Sequence, residues 1–513
     1  MKDHRLSRRQ FVEMAGTAAF TLTILPRHVL GGKGYIAPSD RITVAYVGTG
    51  TQGIREMLSM LASPNFQIVA VCDPSQHAIG YKDWGKDYLK STIRTAIKKT
   101  DWEPGGDNSI PGGRECGKSI VETFYANNNP EYNYKECKAY ADFRELLDKE
   151  KNVDAVKIMT PDHLHGIFAM AAMRRNKHVF VHKPLSNRLL EGKKAIEMAR
   201  NSNVITHLIP WDANGSMELV MSWINGGIIG NLKEVHNWTN RPVWPQYPVI
   251  PTDTPQTPDG LDWDLWLGPE KQRPYHPNYT NMVFRGWYDF GGGSMADMGH
   301  YSLWSVFKAL ELENPTSIEP NLSHVNGMND PVPFQIHNDF SFPMASSVRF
   351  KYPAKGTRPA VDLCWYDGGM RPPTPPELLD SASKLELQPE GMMFVGDQGK
   401  ILAGFHIDNP QIISGTHVEK AQEPGPKTPP VNQVARTAAA LQLFADAVRS
   451  GQQFPGNFRE AEHITEAINL YSVALRTGKL LKYDAAGRTI TNITDANKYL
   501  SREYRPGWDP ASI

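Results

Sequence analysis

Residues 41–74 read RITVAYVGTGTQGIREMLSMLASPNFQIVAVCDP, and their order decides the fold. An apolar strand, Ile42–Val47, runs into Gly48-Thr49-Gly50-Thr51-Gln52-Gly53. An amphipathic helical stretch follows, and a second apolar strand, Gln67–Cys72, ends at Asp73. Strand, glycine loop, helix, strand and acid in that order form a dinucleotide-binding unit. Gly48 permits the tight turn, Gly50 lets the backbone approach a pyrophosphate, and Gly53 lets the helix lie close on the strand. The helix begins around Thr51 and Gln52, where unpaired N–H groups face the phosphates. Asp73, twenty residues past Gly53, can accept hydrogen bonds from both ribose hydroxyls. It would repel a 2′-phosphate, so the expected cofactor is NAD rather than NADP. A glycine-rich turn in some other α/β unit is the bland alternative. The two flanking strands and the acid speak against it.

Ser7-Arg8-Arg9-Gln10-Phe11-Val12 is a twin-arginine pattern, followed by an apolar, uncharged run from Met14 to Leu25. Together they predict a Tat export signal over residues 1–35 and a periplasmic protein, with the signal removed or kept as an anchor. The run falls short of the roughly 20 apolar residues a membrane span needs. No A-x-A site stands out, so the mature start is expected within residues 26–38. Tat carries folded proteins, so a dinucleotide loaded in the cytoplasm can leave with the chain.

Lys+Arg and Asp+Glu both number 55, and no basic run points to nucleic acid or an anionic membrane. The chain holds 12 Trp, 19 Tyr and 19 Phe, many of them between residues 238 and 304. Flat apolar faces suit pyranose rings, although for most of these residues core packing is the simpler reading. Cys72, Cys116, Cys137 and Cys364 show no CxxC and no zinc spacing, so no metal is expected. Cys116 and Cys137 bracket a short stretch and could pair in an oxidising compartment.

The pattern divides the chain into a dinucleotide-binding domain over 36–210 and a second domain over 211–513. A polar insertion, about 77–134, interrupts the first; it holds a helical part (Trp84–Lys99) and a Gly/Pro/Asn-rich part (Glu103–Gly113). The regular pattern resumes with a helix at Ala141–Leu147, a strand at Ala155–Met159, the loop Thr160–His165 and a helix at Gly166–Arg174. A strand at Val179–Val181, a helix at Leu190–Asn201 and a strand at Val204–Ile209 close this half. In the second half a helix, Met217–Asn225, leads to the strand Leu232–Thr239. Ser346–Tyr352, Ala360–Trp365, Met392–Gly396 and Lys400–Ala403 read as antiparallel strands, and Phe458–Thr477 as a final helix.

The series GTGTQG, CDP, TPDHLH, HKP, GGIIGNLKEVHNW, LDWDLWLGP and GGGSMADMGHY resembles the Gfo/Idh/MocA family, the relatives of glucose–fructose oxidoreductase and inositol dehydrogenase. The likeness covers most of the chain after residue 40. It implies an α/β protein: an N-terminal Rossmann domain, then an α+β domain with a large, mostly antiparallel, open-faced sheet. It also implies NAD(P) chemistry on sugars or polyols. A family E-K-P lysine lies beside the nicotinamide and the reacting hydroxyl, and Lys183 stands at that position, with His182 replacing the glutamate. Lys183 also makes sense unaided: it ends a strand, where doubly wound sheets place ligands, and burial near a cation would lower its pKa. Thr160-Pro161 resembles the family's cofactor-contacting turn, and His165 a histidine near the nicotinamide, whereas His163 reads as a loop residue.

Gly291–Tyr301 is a glycine loop leading into a helix, on which Asp297 faces His300 at i,i+3 and Tyr301 at i,i+4. Many family members carry a histidine at i+4, so whether His300, Tyr301 or Lys183 is the main acid/base stays open. Trp238, Arg241, His276, Arg285 and Trp287 are candidate sugar contacts, with their chain neighbours Thr239, Asn240, Tyr275, Tyr288 and Asp289 beside them, each individually more often packing or loop structure.

Three readings compete. The first is an exported NAD-dependent oxidoreductase acting on a secondary hydroxyl of a sugar or glycoside, with a tightly held, recycled cofactor. The second is a glycosidase that uses NAD through transient oxidation and elimination. The third is a non-catalytic sugar-binding protein on a Rossmann scaffold. The family's sheet leaves one face open; an apolar face of that size should be buried against another subunit, so a homodimer or homotetramer is expected.

Overall fold

Ile42–Val47 (β1) is apolar on both faces because it is buried on both, as a central parallel strand must be. It pairs in parallel with Phe66–Cys72 (β2) and Ala155–Ile158 (β4). The computed structural model describes residues 40–105, 110–130, 134–209, 216–379, 386–418 and 433–511. The twin-arginine pattern and the apolar run after it lie outside the described residues. From Ile42 onward the chain is one compact unit.

Thr51–Ala62 (α1) follows the glycine loop, and Tyr88–Ala96 (α2) and Arg114–Asn128 (α3) occupy the insertion. Lys138–Tyr140 (β3), Phe143–Lys149 (α4), Asp162–Arg174 (α5), His178–His182 (β5), Leu189–Arg200 (α6) and Thr206–Ile209 (β6) complete the first half. Its six strands are all parallel and run in the order β3-β2-β1-β4-β5-β6. The direction of winding reverses between β1 and β4, where such sheets open a crevice at the strand ends.

The insertion is packed onto that crevice. Gly113 N–H donates to the Thr49 carbonyl at 3.1 Å. A Cβ at Gly117 would lie 2.6 Å from Thr49 Cγ2, so the start of α3 fits only without a side chain there. The sequence pattern marks a loop ending at Gly113 and no helix after it, whereas α3 starts at Arg114.

The second half begins with Ser216–Asn225 (α7) and Leu232–Trp238 (β7), then Trp263–Leu267 (α8) and Gly293–Ala309 (α9). Ser317–Leu322 (β8), Val325–Asn329 (β9), Val332–Ile336 (β10), Ser346–Tyr352 (β11), Val361–Tyr366 (β12), Gly391–Gly396 (β13), Lys400–Ala403 (β14) and Gln411–Ser414 (β15) follow. Gln433–Ser450 (α10), Glu462–Thr477 (α11), Leu481–Asp484 (β16) and Thr489–Ile490 (β17) end the element order. Nine strands form one sheet, β15-β14-β13-β7-β12-β11-β8-β16-β17, in which only β7 and β12 pair in parallel. The α/β class and the large, mostly antiparallel second sheet are as the sequence predicts.

One face of this sheet meets helices; Ser302 on α9 donates to Asn237 on β7 at 2.6 Å. The other face differs from the apolar surface expected. Arg349 reaches Glu234 at 2.6 Å and Asp362 at 3.2 Å, and His236 lies 2.8 Å from Glu234. Apolar residues dominate it only around Trp238, Met393 and Leu402, against which Leu387 packs.

Helix α10 crosses the division expected at residue 210. Phe444 stacks on Phe66 of β2 and on Phe180 of β5, with ring centroids 6.3 and 4.9 Å away. This later segment thus completes the core of the first domain. Cys116 and Cys137 are free, buried thiols, each pushed up to about 12 by burial, rather than the disulfide considered above.

Candidate active site

The glycine loop is built for close approach. Gly48 has φ +93°, and a Cβ there would meet the Met159 carbonyl oxygen at 2.5 Å. A Cβ at Gly53 would fall 2.2 Å from the Gly48 oxygen, so α1 can lie on β1 only with glycine in place. Tyr46 Oη fixes the same turn by donating to the Gly53 carbonyl at 2.6 Å. Gly50, Thr51, Gln52, Thr160 and Pro161 all border a cavity of about 430 Å³. A bare glycine cradle that opens into this cavity beside a helix N-terminus fits a dinucleotide.

Asp73 borders this cavity at the end of β2, as expected, but its carboxylate also braces the loop. Oδ2 accepts from the Thr49 N–H at 2.8 Å and the Thr49 hydroxyl at 3.2 Å, and Oδ1 from the Ser75 N–H at 2.9 Å. Burial raises its pKa, and the Ser75 and Thr49 bonds oppose the rise. A 2′-phosphate would bring its charge onto this carboxylate. NAD should therefore bind more tightly than NADP in a titration, and Asp73→Ala should narrow the difference. Equal affinity in the native protein would remove the carboxylate from the specificity argument.

Lys183 follows β5 and is 4% exposed. Its Nζ donates to Asp297 Oδ1 at 2.6 Å and to the Asp297 backbone carbonyl. Asp297 also meets Arg285 Nε at 3.3 Å and Arg241 Nε at 3.6 Å. Burial alone would push the Asp297 carboxyl up, but Lys183 and Arg285 hold it well below the usual carboxylate range. Burial lowers the Lys183 pKa, and Asp297 opposes the fall. The result is a desolvated amine tethered to a permanent carboxylate at one end of the cavity.

The structure separates the neighbours on α9. Tyr301 borders the cavity, and its ring centroid lies 5.2 Å from Lys183 Nζ. His300 is fully buried, stands outside the cavity wall, and is lowered to about 3 by burial and by Lys183. It is poorly placed to exchange a proton with a ligand. Tyr301→Phe should lower turnover by about tenfold or more, and His300→Ala should change it only a few-fold if the protein folds. Steady-state rates of the two variants check this, and the reverse ranking would return the role to His300.

His165 supports the site from behind. Nδ1 lies 2.6 Å from the Pro184 carbonyl and Nε2 2.7 Å from the Thr160 carbonyl, tying the two cavity turns together. Burial lowers its pKa to about 3, and a neutral ring can donate to only one of the two carbonyls. His163, read as a loop residue, is instead buried in the first turn of α5, with Nε2 3.0 Å from the Trp266 carbonyl. His182 borders the cavity and sets Nε2 3.2 Å from Glu56 Oε1 on α1. The carboxylate that the resemblance puts at position 182 is thus brought to that place through space by Glu56.

Of the five candidate sugar contacts, Arg241 and Arg285 border the cavity and the other three do not. Trp238 is buried and donates Nε1 to the Gln388 carbonyl at 2.8 Å. Trp287 is buried among aromatic residues and donates to the Asn278 carbonyl at 2.6 Å. His276 caps a short turn, accepting from the Asn278 N–H at 3.1 Å. Their indole and imidazole N–H and N atoms are spent on structure. The cavity gains instead Tyr275, which the sequence marks beside His276, and Trp84 from the insertion, Trp244 and His406, which it does not mark. Trp84, 63% exposed beside the cavity, has the Arg241 guanidinium 5.6 Å from its ring centroid and leaves the rest of its apolar surface open.

A glycine cradle and a buried lysine–carboxylate pair share one cavity, on a parallel Rossmann sheet joined to a large mixed sheet, as in an NAD-binding Rossmann protein. The chain belongs to the Gfo/Idh/MocA oxidoreductase family: residues 121–209 match its NAD-binding Rossmann fold, and residues 232–332 and 386–510 its C-terminal alpha/beta domain. Levoglucosan dehydrogenase of Pseudarthrobacter phenanthrenivorans is 27% identical over 120 residues, 22% of this chain and 30% of that protein. Myo-inositol 2-dehydrogenase of Thermotoga maritima is 38% identical over 68 residues, 13% of this chain and 20% of that protein. The matches thus span under a third of these relatives. The WlbA dehydrogenase of Bordetella pertussis, solved with NADH and UDP-GlcNAcA, aligns over 86% of this chain and 99% of its own, at 13% identity and TM-score 0.49.

Proposed function

We propose that the chain is an exported NAD-dependent oxidoreductase that oxidises a secondary hydroxyl of a sugar or glycoside and keeps its cofactor bound between turnovers. The observation that carries this reading is the Lys183–Asp297 pair, 2.6 Å apart, in the cavity that also holds the glycine loop. NAD supplies the hydride acceptor. The chain's own residues do the rest. Neutral Lys183 Nζ takes the hydroxyl proton, and Asp297 holds that nitrogen in place and stabilises the ammonium that results. Tyr301 Oη offers a hydrogen bond to the same hydroxyl. Arg241 and Arg285 keep Asp297 ionised and present N–H donors toward ring oxygens. Trp84 and Trp244 offer flat faces to C–H bonds of a pyranose.

Mass analysis and an absorption spectrum of the protein as purified should show a bound dinucleotide, and incubation with sugars should give a keto-sugar. Protein that neither retains nor binds NAD sinks the reading. Sugar release with no net NADH would replace it with the glycosidase. Export is expected to depend on Arg8 and Arg9. With both changed to Lys, the protein should stay in the cytoplasm on fractionation, and continued periplasmic recovery would exclude the Tat route. The reading carries a homodimer or homotetramer, which a monomer in light scattering at micromolar concentration would contradict; the charged residues on the open sheet face remove the apolar argument for pairing through it.

A further inference from the structure

The wall of the cofactor cavity includes a residue from far outside the Rossmann segment. Trp508, 3% exposed, borders the same cavity as the glycine loop. Asp142, Phe143, Leu164 and Phe168 line the cavity too, and Trp508 stacks on the last of them. Asp142 and Phe143 follow β3, and Leu164 and Phe168 lie on α5 after β4. In a sheet ordered β3-β2-β1-β4-β5-β6, the acid ending β2 marks the ribose of the adenosine half. The β3 side therefore receives the adenine, and the β5 side, with Lys183, receives the nicotinamide. We infer that Trp508 is a cofactor-binding residue, the outer wall of the adenine subsite.

The surroundings of Trp508 are those of a positioned wall. It stacks on Phe168 at 6.4 Å, and Phe168 stacks on Phe143 at 4.1 Å, giving a tier of three rings. The Arg144 guanidinium covers the indole at 4.4 Å and donates to the Gly507 carbonyl at 3.1 Å. Gly507, at φ +78°, makes the turn that brings the indole inward.

The segment before it is clamped across both domains. Arg502, buried, reaches Glu270 at 2.7 Å and Glu191 of α6 at 3.3 Å, and it donates to Asn187. Arg505 donates to the Gly268 carbonyl at 2.8 Å and meets Asp264 at 2.5 Å. Leu164 and Trp508 both crowd Gly268, where a Cβ would lie 2.4 Å and 3.5 Å from them. The arm is thus fixed before any ligand arrives, and its tryptophan is presented at little ordering cost. A base held against aromatic rings leaves slowly, which deepens the reading of a retained cofactor; the inference rests on NAD occupying this cavity.

The test compares Trp508→Ala and Trp508→Phe with the native protein, all stripped of nucleotide and shown folded by thermal melting. Affinities are measured for NADH, for ADP-ribose and for reduced nicotinamide mononucleotide, which lacks the adenosine. Trp508→Ala should weaken NADH and ADP-ribose alike, by about 5- to 100-fold, the range a base–aromatic contact commands. Reduced nicotinamide mononucleotide should be unaffected, and Trp508→Phe should recover most of the loss. Unchanged ADP-ribose affinity in folded Trp508→Ala overturns the inference and leaves the NAD reading standing. Equal weakening of all three ligands also overturns it, because Trp508 would then act only through the fold. If Trp508→Ala does not fold, Trp508→Leu, which keeps an apolar side chain but no ring, decides: near-native ADP-ribose affinity overturns the inference, and a loss of about 5-fold or more with reduced nicotinamide mononucleotide unaffected supports it. Native protein that binds neither NADH nor ADP-ribose would instead sink the cofactor reading itself.

Discussion

Replacing Lys183 with alanine should cut turnover on the sugar substrate by about 10²–10⁴-fold and leave NAD affinity near native. The two effects separate because different elements carry them. The cofactor rests on the glycine loop and Asp73, at the ends of β1 and β2, while Lys183 leaves β5. The fold should survive, since Asp297 keeps Arg285 at 3.3 Å and Arg241 at 3.6 Å and is not left as a lone buried charge. Lys183→Arg should be nearly as slow. It keeps the cation but cannot lose a proton at accessible pH, so it separates a base from a fixed charge.

The pH profile gives an independent reading. Burial sets the Lys183 pKa below its ordinary 10.5, with Asp297 opposing. The active base is the neutral amine, so kcat/KM should rise with pH through this lowered pKa. Stability follows the same sign. Between the folded pKa and 10.5 the unfolded chain binds more protons, so the Lys183 contribution to stability grows as pH rises through that window. A folded, NAD-bound Lys183→Ala variant with near-native rates would assign the proton transfer to Tyr301.

How much of this was legible in the chain depends on what each signal measures. Ile42–Val47, Ser346–Tyr352 and Lys400–Ala403 are strands with the bounds that their apolar patterns predict, because burial on one or both faces writes itself into strand periodicity. Helix α5 begins at Asp162, a turn earlier than read, because Pro161 is an ordinary entry to a helix and Asp162 accepts from the Gly292 N–H at 3.0 Å across the domains. Helices α3 and α10 were missed for another reason: each follows a Gly- or Pro-rich stretch, and what they pack against lies far away in sequence. Lys183, Asp297 and Tyr301 were legible from spacing and resemblance. Trp238, Trp287 and His276 were misleading because residue type alone does not tell a packed aromatic from a ligand-facing one. Trp508 was invisible, since nothing local marks the end of an arm as part of a distant cavity.

Glu56 was equally unmarked, an acid on an amphipathic helix, and it carries the largest expected effect on stability. It is buried on α1, with Oε2 2.5 Å from Lys157 Nζ and Oε1 3.2 Å from His182 Nε2. Lys157 is 1% exposed and lies 4.0 Å from the Phe180 ring, so no water can take over its charge. Burial by itself would raise the Glu56 carboxyl, but Lys157 and His182 hold it well below the usual 4.5. Glu56→Gln keeps the shape, removes the charge and leaves the Lys157 ammonium without its counterion. The expected loss is about 3–5 kcal/mol, the cost of breaking one partner of a buried pair. Changing Lys157 to Met as well should recover most of it, because the stranded charge leaves with its partner. The sign with pH is fixed by the lowered carboxyl. Its contribution is complete above about 4.5 and is lost as pH falls through the folded value, so native and Glu56→Gln protein should converge in acid. The same substitution loosens His182, the residue before Lys183, so turnover should fall in protein that still binds NAD. Denaturant titrations of both variants near pH 7 and below pH 4 provide the check. A single variant within about 1 kcal/mol of native would mean that Lys157 finds another partner and that the buried pair does not hold this end of the site.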